Sequence, residues 1–278
     1  MRHHRTTHAD NAQEALLTLG RLVDQALERI RIQQARVELA EALQRHLLPP
    51  QLPQLPYMAI AARYAPSRDG LDVGGDWYDA FPMTNGSFGI TIGDVQGHDV
   101  EAIAFMGQAR TSLRACAGST SDPGEVLSRA NDLLISMSCG LFATCCFMNF
   151  DPATGALAVS RAGHIPLVWA TSAARSGVVL ARGGPPLGIL AGECYPVTHR
   201  RLTEPASFVL VTDGVVEGPS CPMEKGLEEV ARLARRGYDG DPDQLACDVI
   251  KVAELTGHSD DAAVLVVRYA GIAGRCDD

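Results

Sequence analysis

The sequence has no sustained lysine or arginine run, no apolar stretch long enough to span a bilayer, and no Cys/His spacing typical of a metal site. The net charge is −9, and basic residues cluster only in RHHR at 2–5 and in the RR pairs at 200–201 and 235–236, so the electrostatic footprint of a nucleic-acid-binding protein is missing. The longest apolar runs, SFVLV at 207–211 and AAVLVV at 262–267, are too short for a transmembrane helix, and the N-terminus has no signal-peptide apolar core. These absences predict a cytoplasmic protein with neither a nucleic-acid nor a membrane partner.

The eight cysteines form no CxxC pair, and several lie inside apolar runs. Buried, reduced thiols are therefore expected. With 46% hydrophobic residues in 278, the chain can build a substantial core.

A heptad-like stripe runs through the N-terminal region and predicts a long helix. A second apolar set (Leu22, Leu27, Leu39, Leu43, Leu48) widens the face, which leaves two readings open: a dimerising coiled coil, or a helix packed on its own domain. The seam consists of Leu16, Leu19, Val23, Ala26, Ile30, Gln33, Val37, Ala40, Gln44 and Leu47.

Four prolines in LLPPQLPQLP at 47–56 end this helix and predict an extended connector. The pattern beyond it predicts strands at 58–65, 87–95, 142–150, 156–162, 166–170, 177–181, 194–202, 206–212 and 262–269, and helices at 99–117, 123–137, 224–236 and 242–256. Because helices come in pairs between groups of strands, and short turns such as DPATG join neighbouring strands, we expect an α+β domain with antiparallel sheets.

Acidic residues recur next to small residues beside strand-like runs, in VGGDWYD at 73–79, IGDVQGHD at 92–99, TDG at 212–214 and SDDAA at 259–263. One such aspartate is ordinarily a turn former or helix cap. Four or five of them at the ends of neighbouring strands can converge on Mg²⁺ or Mn²⁺, which take carboxylate and carbonyl oxygens. The sequence therefore predicts a hard-metal site built from Asp76, Asp94, Asp213 and Asp260 or Asp261.

These motifs, together with LQRHLLPPQLP, FMGQARTSLRA, FATCCFMNFDPATG, RAGHIPLV, PPLGI, LVTDGVVE and SDDAAVLVVR, occur in the order of the bacterial SpoIIE/RsbU-type serine phosphatases. The chain resembles this branch of the metal-dependent PPM (type 2C-like) phosphatases over residues 42–269. The resemblance implies an α-β-β-α sandwich, two antiparallel sheets flanked by helices, with two Mn²⁺ or Mg²⁺ ions at one edge.

The same resemblance implies the role of each site residue. Asp76 would bind one ion, Asp94 would bridge both, and the Val95 carbonyl would be a further ligand. Asp213 and Asp260 would hold the other ion, with Asp261 a less certain neighbour. Two such ions activate a water for in-line attack on phosphorus, so no side-chain nucleophile is needed.

The implied function is hydrolysis of phosphoserine or phosphothreonine on a phosphorylated anti-sigma factor antagonist, a STAS-domain protein, in bacterial partner switching. Implied domains are a regulatory, dimerising helix at 1–48, a connector at 49–56, a phosphatase domain at 57–270 and a tail at 271–278. The alternative is a catalytically silent PPM-like binding module, which the complete set of aspartates disfavours.

Four further residues have open roles. Asp99 stands in GHD where the family usually has glycine, and either caps a helix or adds a carboxylate near the ions. His98 is a possible proton donor, as is His164, although a structural histidine is the safer interpretation of both. Arg63 is a conceivable phosphate ligand, although an arginine on a half-buried strand more often pairs with a carboxylate.

The C-x5-R spacing of Cys194 and Arg200 fits a cysteine-dependent phosphatase loop only by chance. The five residues between them are YPVTH, without glycine, and they read as a strand.

Overall fold

The computed structural model describes residues 4–55, 57–66, 74–97, 99–137, 140–172, 175–179, 182–219, 221–257 and 260–271. The helices are α1 (His4–Leu47), α2 (Val100–Ala117), α3 (Pro123–Ser136), α4 (Asp213–Val216), α5 (Met223–Gly237), α6 (Pro242–Ile250) and α7 (Val252–Thr256). The strands are β1 (Gln54–Leu55), β2 (Met58–Ala65), β3 (Trp77–Pro82), β4 (Phe88–Val95), β5 (Ala143–Asp151), β6 (Ala156–Ala162), β7 (Val168–Thr171), β8 (Ser176–Val178), β9 (Val197–Arg201), β10 (Ala206–Val211) and β11 (Ala262–Tyr269).

The named strands pair antiparallel in two sheets. One has the order β1-β2-β11-β10-β7-β8 and the other β3-β4-β5-β6-β9. Short turns account for several of these pairings, as the sequence predicts. In the β5–β6 hairpin, Asp151 accepts hydrogen bonds from Ala153 N and Thr154 Oγ1, and Gly155 takes a φ of 69° that favours glycine.

Three apolar layers hold the domain together. Residues from both sheets, including Ile90, Phe150, Leu265 and Tyr269, form the central layer. The helices α2 and α3 cover the outer face of the β3-containing sheet, while α5 and α6 cover that of the β10-containing sheet. The predicted α-β-β-α sandwich is confirmed, and its energetic basis is the burial of apolar side chains between these layers.

Local capping fixes where the outer helices begin. Asp122 accepts a hydrogen bond from Glu125 N before Pro123 opens α3, and Asp241 accepts one from Asp243 N before Pro242 opens α6. Both are the aspartate cap followed by an N-terminal proline that helices favour.

The long helix α1 touches the domain near its C-terminal end. The side chain of Leu47 packs against α2 so tightly that a Cβ on Gly107 would lie 2.8 Å from Leu47 Cδ2. Farther back, large apolar side chains that include Leu19, Val23 and Ile30 are about half exposed or more. In the single chain, the part of this stripe from Leu16 to Ile30 is therefore not covered by the domain.

The sequence prediction missed β3, and the residue responsible is Asp79. It lies in the middle of the strand, fully buried, where a carboxylate breaks the apolar pattern. Arg110 and Arg114 of α2 compensate it: Arg110 Nε donates to Oδ2 at 2.9 Å, and Arg114 Nη2 donates to Oδ1 at 2.9 Å. A second difference is that the helix predicted at 242–256 is divided at Lys251.

Among the described residues, no helix is both long enough and apolar enough to cross a membrane.

Candidate active site

The predicted acidic residues meet at one end of the sandwich. Thr212 follows β10, and its backbone N–H and hydroxyl bind the start of β11: Thr212 N donates to Ala263 O at 3.1 Å, and Ala263 N donates to Thr212 Oγ1 at 2.8 Å. The hydroxyl then donates to Asp76 Oδ2 at 2.7 Å, before β3 in the other sheet. A single buried threonine therefore joins the two sheets at the site.

Asp76 lies at the bottom of this cluster, with a relative exposure of 1%. Burial raises its pKa well above the usual range, and the nearby carboxylates of Asp94, Asp261 and Asp213 raise it further, while the hydrogen bond from Thr212 opposes them. The carboxylate thus sits in concentrated negative charge.

Asp94, near the end of β4, lies close to Asp76. Burial raises its pKa to about 8, with further contributions from Asp213, Asp260 and Asp261.

The Val95 carbonyl faces the turn that carries Asp76. A Cβ on Gly75 would lie 2.6 Å from Val95 O and 3.0 Å from Gly97 O, so only glycine allows this approach. Val95 N donates to Gly75 O at 3.3 Å. The GGD and GDV motifs are therefore in direct backbone contact.

Asp213 and Asp260 lie on the open side of the cluster. Asp213 is half-buried and Asp260 exposed, and both line a cavity of about 340 Å³. Burial raises the pKa of Asp213, and the charge of Asp260 adds to the effect. Gly214 is required here because a Cβ would lie 2.0 Å from Asp261 O.

Asp261 is buried beside Gly74. A Cβ on that glycine would come within 1.8 Å of Asp261 Oδ2 and 2.4 Å of the Tyr64 hydroxyl. The structure therefore brings Asp76, Asp94, Val95, Asp213, Asp260 and Asp261 into one neighbourhood.

The donor chemistry of this neighbourhood fits a hard divalent cation: carboxylates and a backbone carbonyl, with no thiol or imidazole required. In the described part of the chain, no lysine or arginine forms an ion pair with Asp76, Asp94, Asp213 or Asp260. No basic side chain there offsets the repulsion between these carboxylates. Within the same residues, no three Asp, Glu, His or Cys side chains already form a closed coordination group.

Asp99 is the helix cap. Its Oδ1 accepts a hydrogen bond from Ala102 N at 2.9 Å at the start of α2, so the carboxylate is engaged by the helix. His98 lies outside the described residues, and its role stays a prediction.

His164 is buried and holds a structural position. Nε2 donates to Val211 O at 3.1 Å, since a carbonyl can only accept, and the Thr144 hydroxyl binds Nδ1 at 2.8 Å. Burial lowers the pKa of His164 to about 4. A neutral imidazole with both nitrogens occupied is poorly suited to donate a proton in catalysis.

Arg63 and Cys194 are also accounted for. Arg63 forms an ion pair with Asp243 and donates a hydrogen bond to Cys247 Sγ at 3.1 Å. It is therefore the arginine paired with a carboxylate that the sequence favours on a half-buried strand. Cys194 is exposed, and Arg200 lies on the extended strand β9, so the pair forms no phosphate loop.

Sequence reasoning missed two residues at the site. Thr212 is adjacent to Asp213 in the TDG motif, which is the signal that could have found it. Glu217 lines the same cavity as Asp213 and Asp260, one helical turn beyond Asp213. The position of Glu217 follows from the four-residue helix α4, which the sequence pattern does not predict.

The α-β-β-α sandwich with its acidic end is a PP2C-like fold. The family model for Stage II sporulation protein E (SpoIIE) matches residues 84–270. The chain therefore belongs to the SpoIIE family.

Individual relatives agree with this assignment. Protein IcfG of Synechocystis sp. is 27% identical over 261 residues, which cover 82% of this chain and 40% of IcfG. The structure of the RsbU and RsbW domains of Rv1364c from Mycobacterium tuberculosis matches with a TM-score of 0.73 and 30% identity, over 81% of this chain and 63% of that one. This chain thus spans less than two thirds of either relative.

Two further structures share the fold at lower identity. The SiaA-PP2C domain of Pseudomonas aeruginosa has a TM-score of 0.69 and 20% identity, over 87% of this chain and 98% of that one. The catalytic domain of the phosphatase PstP, in complex with 2 manganese ions, has a TM-score of 0.57 and 14% identity, over 77% of this chain and 99% of that one.

Proposed function

We propose that this protein hydrolyses phosphoserine or phosphothreonine on a STAS-domain anti-sigma factor antagonist in a bacterial partner-switching pathway. The observation that carries the catalytic part is the convergence of five aspartates and the Val95 carbonyl at one end of the sandwich, where Asp76 and Asp94 affect each other's pKa. Support for the pathway comes from Rv1364c, where the matching structure contains both an RsbU and an RsbW domain.

Two Mn²⁺ or Mg²⁺ ions would supply an activated water at neutral pH and neutralise charge on the phosphoryl oxygens. Asp76 would hold one ion, Asp94 both, and Asp213 with Asp260 the other. The Val95 carbonyl is a further proposed ligand, and Asp261 stays the less certain one. The manganese bound by PstP, which shares this fold, supports the choice of ion.

The residues of the chain contribute position and charge. Thr212 fixes one oxygen of Asp76 by its 2.7 Å hydrogen bond, which limits how that carboxylate turns. The exposed side of the cluster at Asp260 and Glu217 leaves access for a phosphorylated side chain. We propose His98, next to Gly97 beside the Asp76 turn, as the donor that protonates the leaving serine oxygen, with water as the alternative.

We also propose that α1 forms a homodimer. The apolar stripe from Leu16 to Ile30 is exposed in the single chain, and a second copy of the same helix would bury it in a coiled coil. Gln33 within the seam fits an interface of limited stability that regulation can rearrange.

The test is phosphate release from a serine-phosphorylated STAS-domain protein, with Mn²⁺, with Mg²⁺ and with chelator. We expect turnover that requires the ion, and faster release from the STAS protein than from a phosphoserine peptide of the same local sequence. Ion-dependent release from the peptide alone would support the enzyme and reject the substrate. Release from neither substrate would favour the catalytically silent binding module.

A further inference from the structure

A cavity of about 760 Å³ opens between the edge strands β8 and β9, each the last strand of its sheet. No residue that lines it belongs to the acidic cluster. Its volume lies within the range typical of small-molecule pockets.

The floor of the cavity is apolar and aromatic. Leu157 and Phe208 are buried members of the central layer, and the half-buried Trp169 packs against that layer beside them. Gly177 of β8 lies directly against the indole, since a Cβ there would lie 3.3 Å from Trp169. A flat apolar group could stack on this surface.

The rim carries the opposite sign of charge from the protein as a whole. Four arginines and one glutamate, Arg175, Arg182, Arg200, Arg201 and Glu204, line the cavity. The chain itself has a net charge of −9. A positive rim on an acidic protein favours an anionic ligand.

Much of the hydrogen-bonding capacity of these arginines is unused inside the protein. Arg175 pairs with Glu204, while Arg200 and Arg201 each donate one hydrogen bond to a backbone carbonyl. Of the residues that the structure describes, none forms a hydrogen bond or ion pair with Arg182. Each guanidinium has five N–H donors, so donors remain for a carboxylate, sulfonate or phosphate.

We propose that this cleft binds a small amphipathic anion, with its apolar or aromatic body on Trp169 and Phe208 and its acidic group held by Arg182 and Arg200. The simpler reading is that arginine stems only cover apolar surface at the sandwich edge. That reading predicts no preference for an anionic over a neutral ligand. The proposal does not depend on the phosphatase activity.

The probe is 8-anilinonaphthalene-1-sulfonate, an aromatic anion that fluoresces when bound to apolar surface. Of the two tryptophans in the chain, Trp77 is fully buried and Trp169 lies in the cleft. We expect saturable binding with energy transfer from tryptophan that falls in Trp169→Phe. Neutral N-phenyl-1-naphthylamine should bind about tenfold more weakly.

The decisive variant is the double substitution Arg182→Ala with Arg200→Ala, which should weaken sulfonate binding about tenfold or more. Arg235→Ala with Arg236→Ala, on the exposed face of α5, removes the same charge elsewhere and should leave binding unchanged. The proposal would be overturned if both double variants bound the sulfonate equally well. It would also be overturned if the wild type bound the neutral compound as tightly as the sulfonate.

Competition then distinguishes two sources of the anion. Displacement of the probe by dodecanoate indicates an acyl carboxylate, and displacement by ADP indicates a nucleotide phosphate. If neither compound displaces the sulfonate from the protein, the proposal of a site for natural anions is wrong.

Discussion

The hydroxyl of Thr212 and the carboxylate of Asp76 lie 2.7 Å apart and connect the two sheets at the acidic end of the sandwich. The same hydroxyl accepts a hydrogen bond from Ala263 N. Thr212→Val keeps the shape of the side chain but removes the hydroxyl, so the Asp76 carboxylate and Ala263 N both lose a buried hydrogen-bond partner. We expect a loss of about 1–3 kcal/mol in the free energy of unfolding and weaker Mn²⁺ binding, measured by urea denaturation and calorimetric titration.

Thr212→Ser is the matched control, because it keeps the hydroxyl and removes one methyl group. It should retain most of the metal affinity. If the serine and valine variants bind Mn²⁺ equally, Thr212 does not position Asp76.

Replacing Asp94 by asparagine removes one ionisable carboxyl group from the cluster. Ion-dependent phosphate release should disappear, while the metal-free protein should become more stable, because burial and neighbouring carboxylates oppose ionisation of Asp94. Thermal unfolding with chelator and with Mn²⁺ measures both effects: we expect Mn²⁺ to stabilise the wild type and to have little effect on Asp94→Asn.

Asp239→Asn provides the control, since Asp239 is an exposed aspartate that no part of the site contacts. It should behave as wild type in both assays. Near-normal turnover by Asp94→Asn would remove Asp94 from its proposed bridging role.

The sequence predicted antiparallel sheets and most strand positions because alternating apolar residues and turn chemistry are local signals, whereas the sandwich was implied by the family resemblance. The strand predictions at 58–65, 156–162 and 262–269 match β2, β6 and β11 residue for residue. The prediction failed at β3, where the fully buried Asp79 is compensated by arginines more than 30 residues away, a contact that no local pattern encodes.

For the site, motif order supplied the set of aspartates but not their surroundings. Glycine before or after Asp76 and Asp213 suggested close backbone approach, and the contacts at Gly75 and Gly214 agree. The role of His164 could not be read from AGHIP, because it depends on Thr144 and Val211, which only the fold brings to the imidazole.

Asp79 and its two arginines should contribute strongly to stability. Asp79→Asn leaves Arg110, the more buried of the two, without its counter-charge, and we expect a loss of about 3–5 kcal/mol in the free energy of unfolding. Arg114→Ala should cost less, because Arg114 is about half exposed and Arg110 still pairs with the aspartate. Chemical denaturation of the two variants checks the order, and a larger loss for Arg114→Ala would contradict it.

His164 should make the fold sensitive to acid. The folded pKa of about 4 lies below the ordinary 6.5, so the unfolded chain binds the proton first and stability falls as the pH drops below 6.5 toward 4. The cost should be about 1 kcal/mol at a pH of about 5.5. Urea unfolding of wild type and His164→Gln at a pH of about 7 and of about 5.5 isolates the contribution of His164, because the other titrating groups are common to the two proteins. Equal losses of stability in acid for the two proteins would exclude His164 as the cause.

The proposed dimer can be tested by two isoleucines of α1 that differ by only two positions. Ile30 belongs to the predicted seam and Ile32 does not, yet their exposures in the single chain are close, at 53% and 48%. A glutamate at the seam would place like charges together across a coiled coil and oppose pairing, whereas a glutamate outside it would face solvent. We therefore expect light scattering to show a dimer for wild type and Ile32→Glu and a monomer for Ile30→Glu, with helix content reported by circular dichroism. Equal masses for the two variants would show that this seam does not hold the chains together.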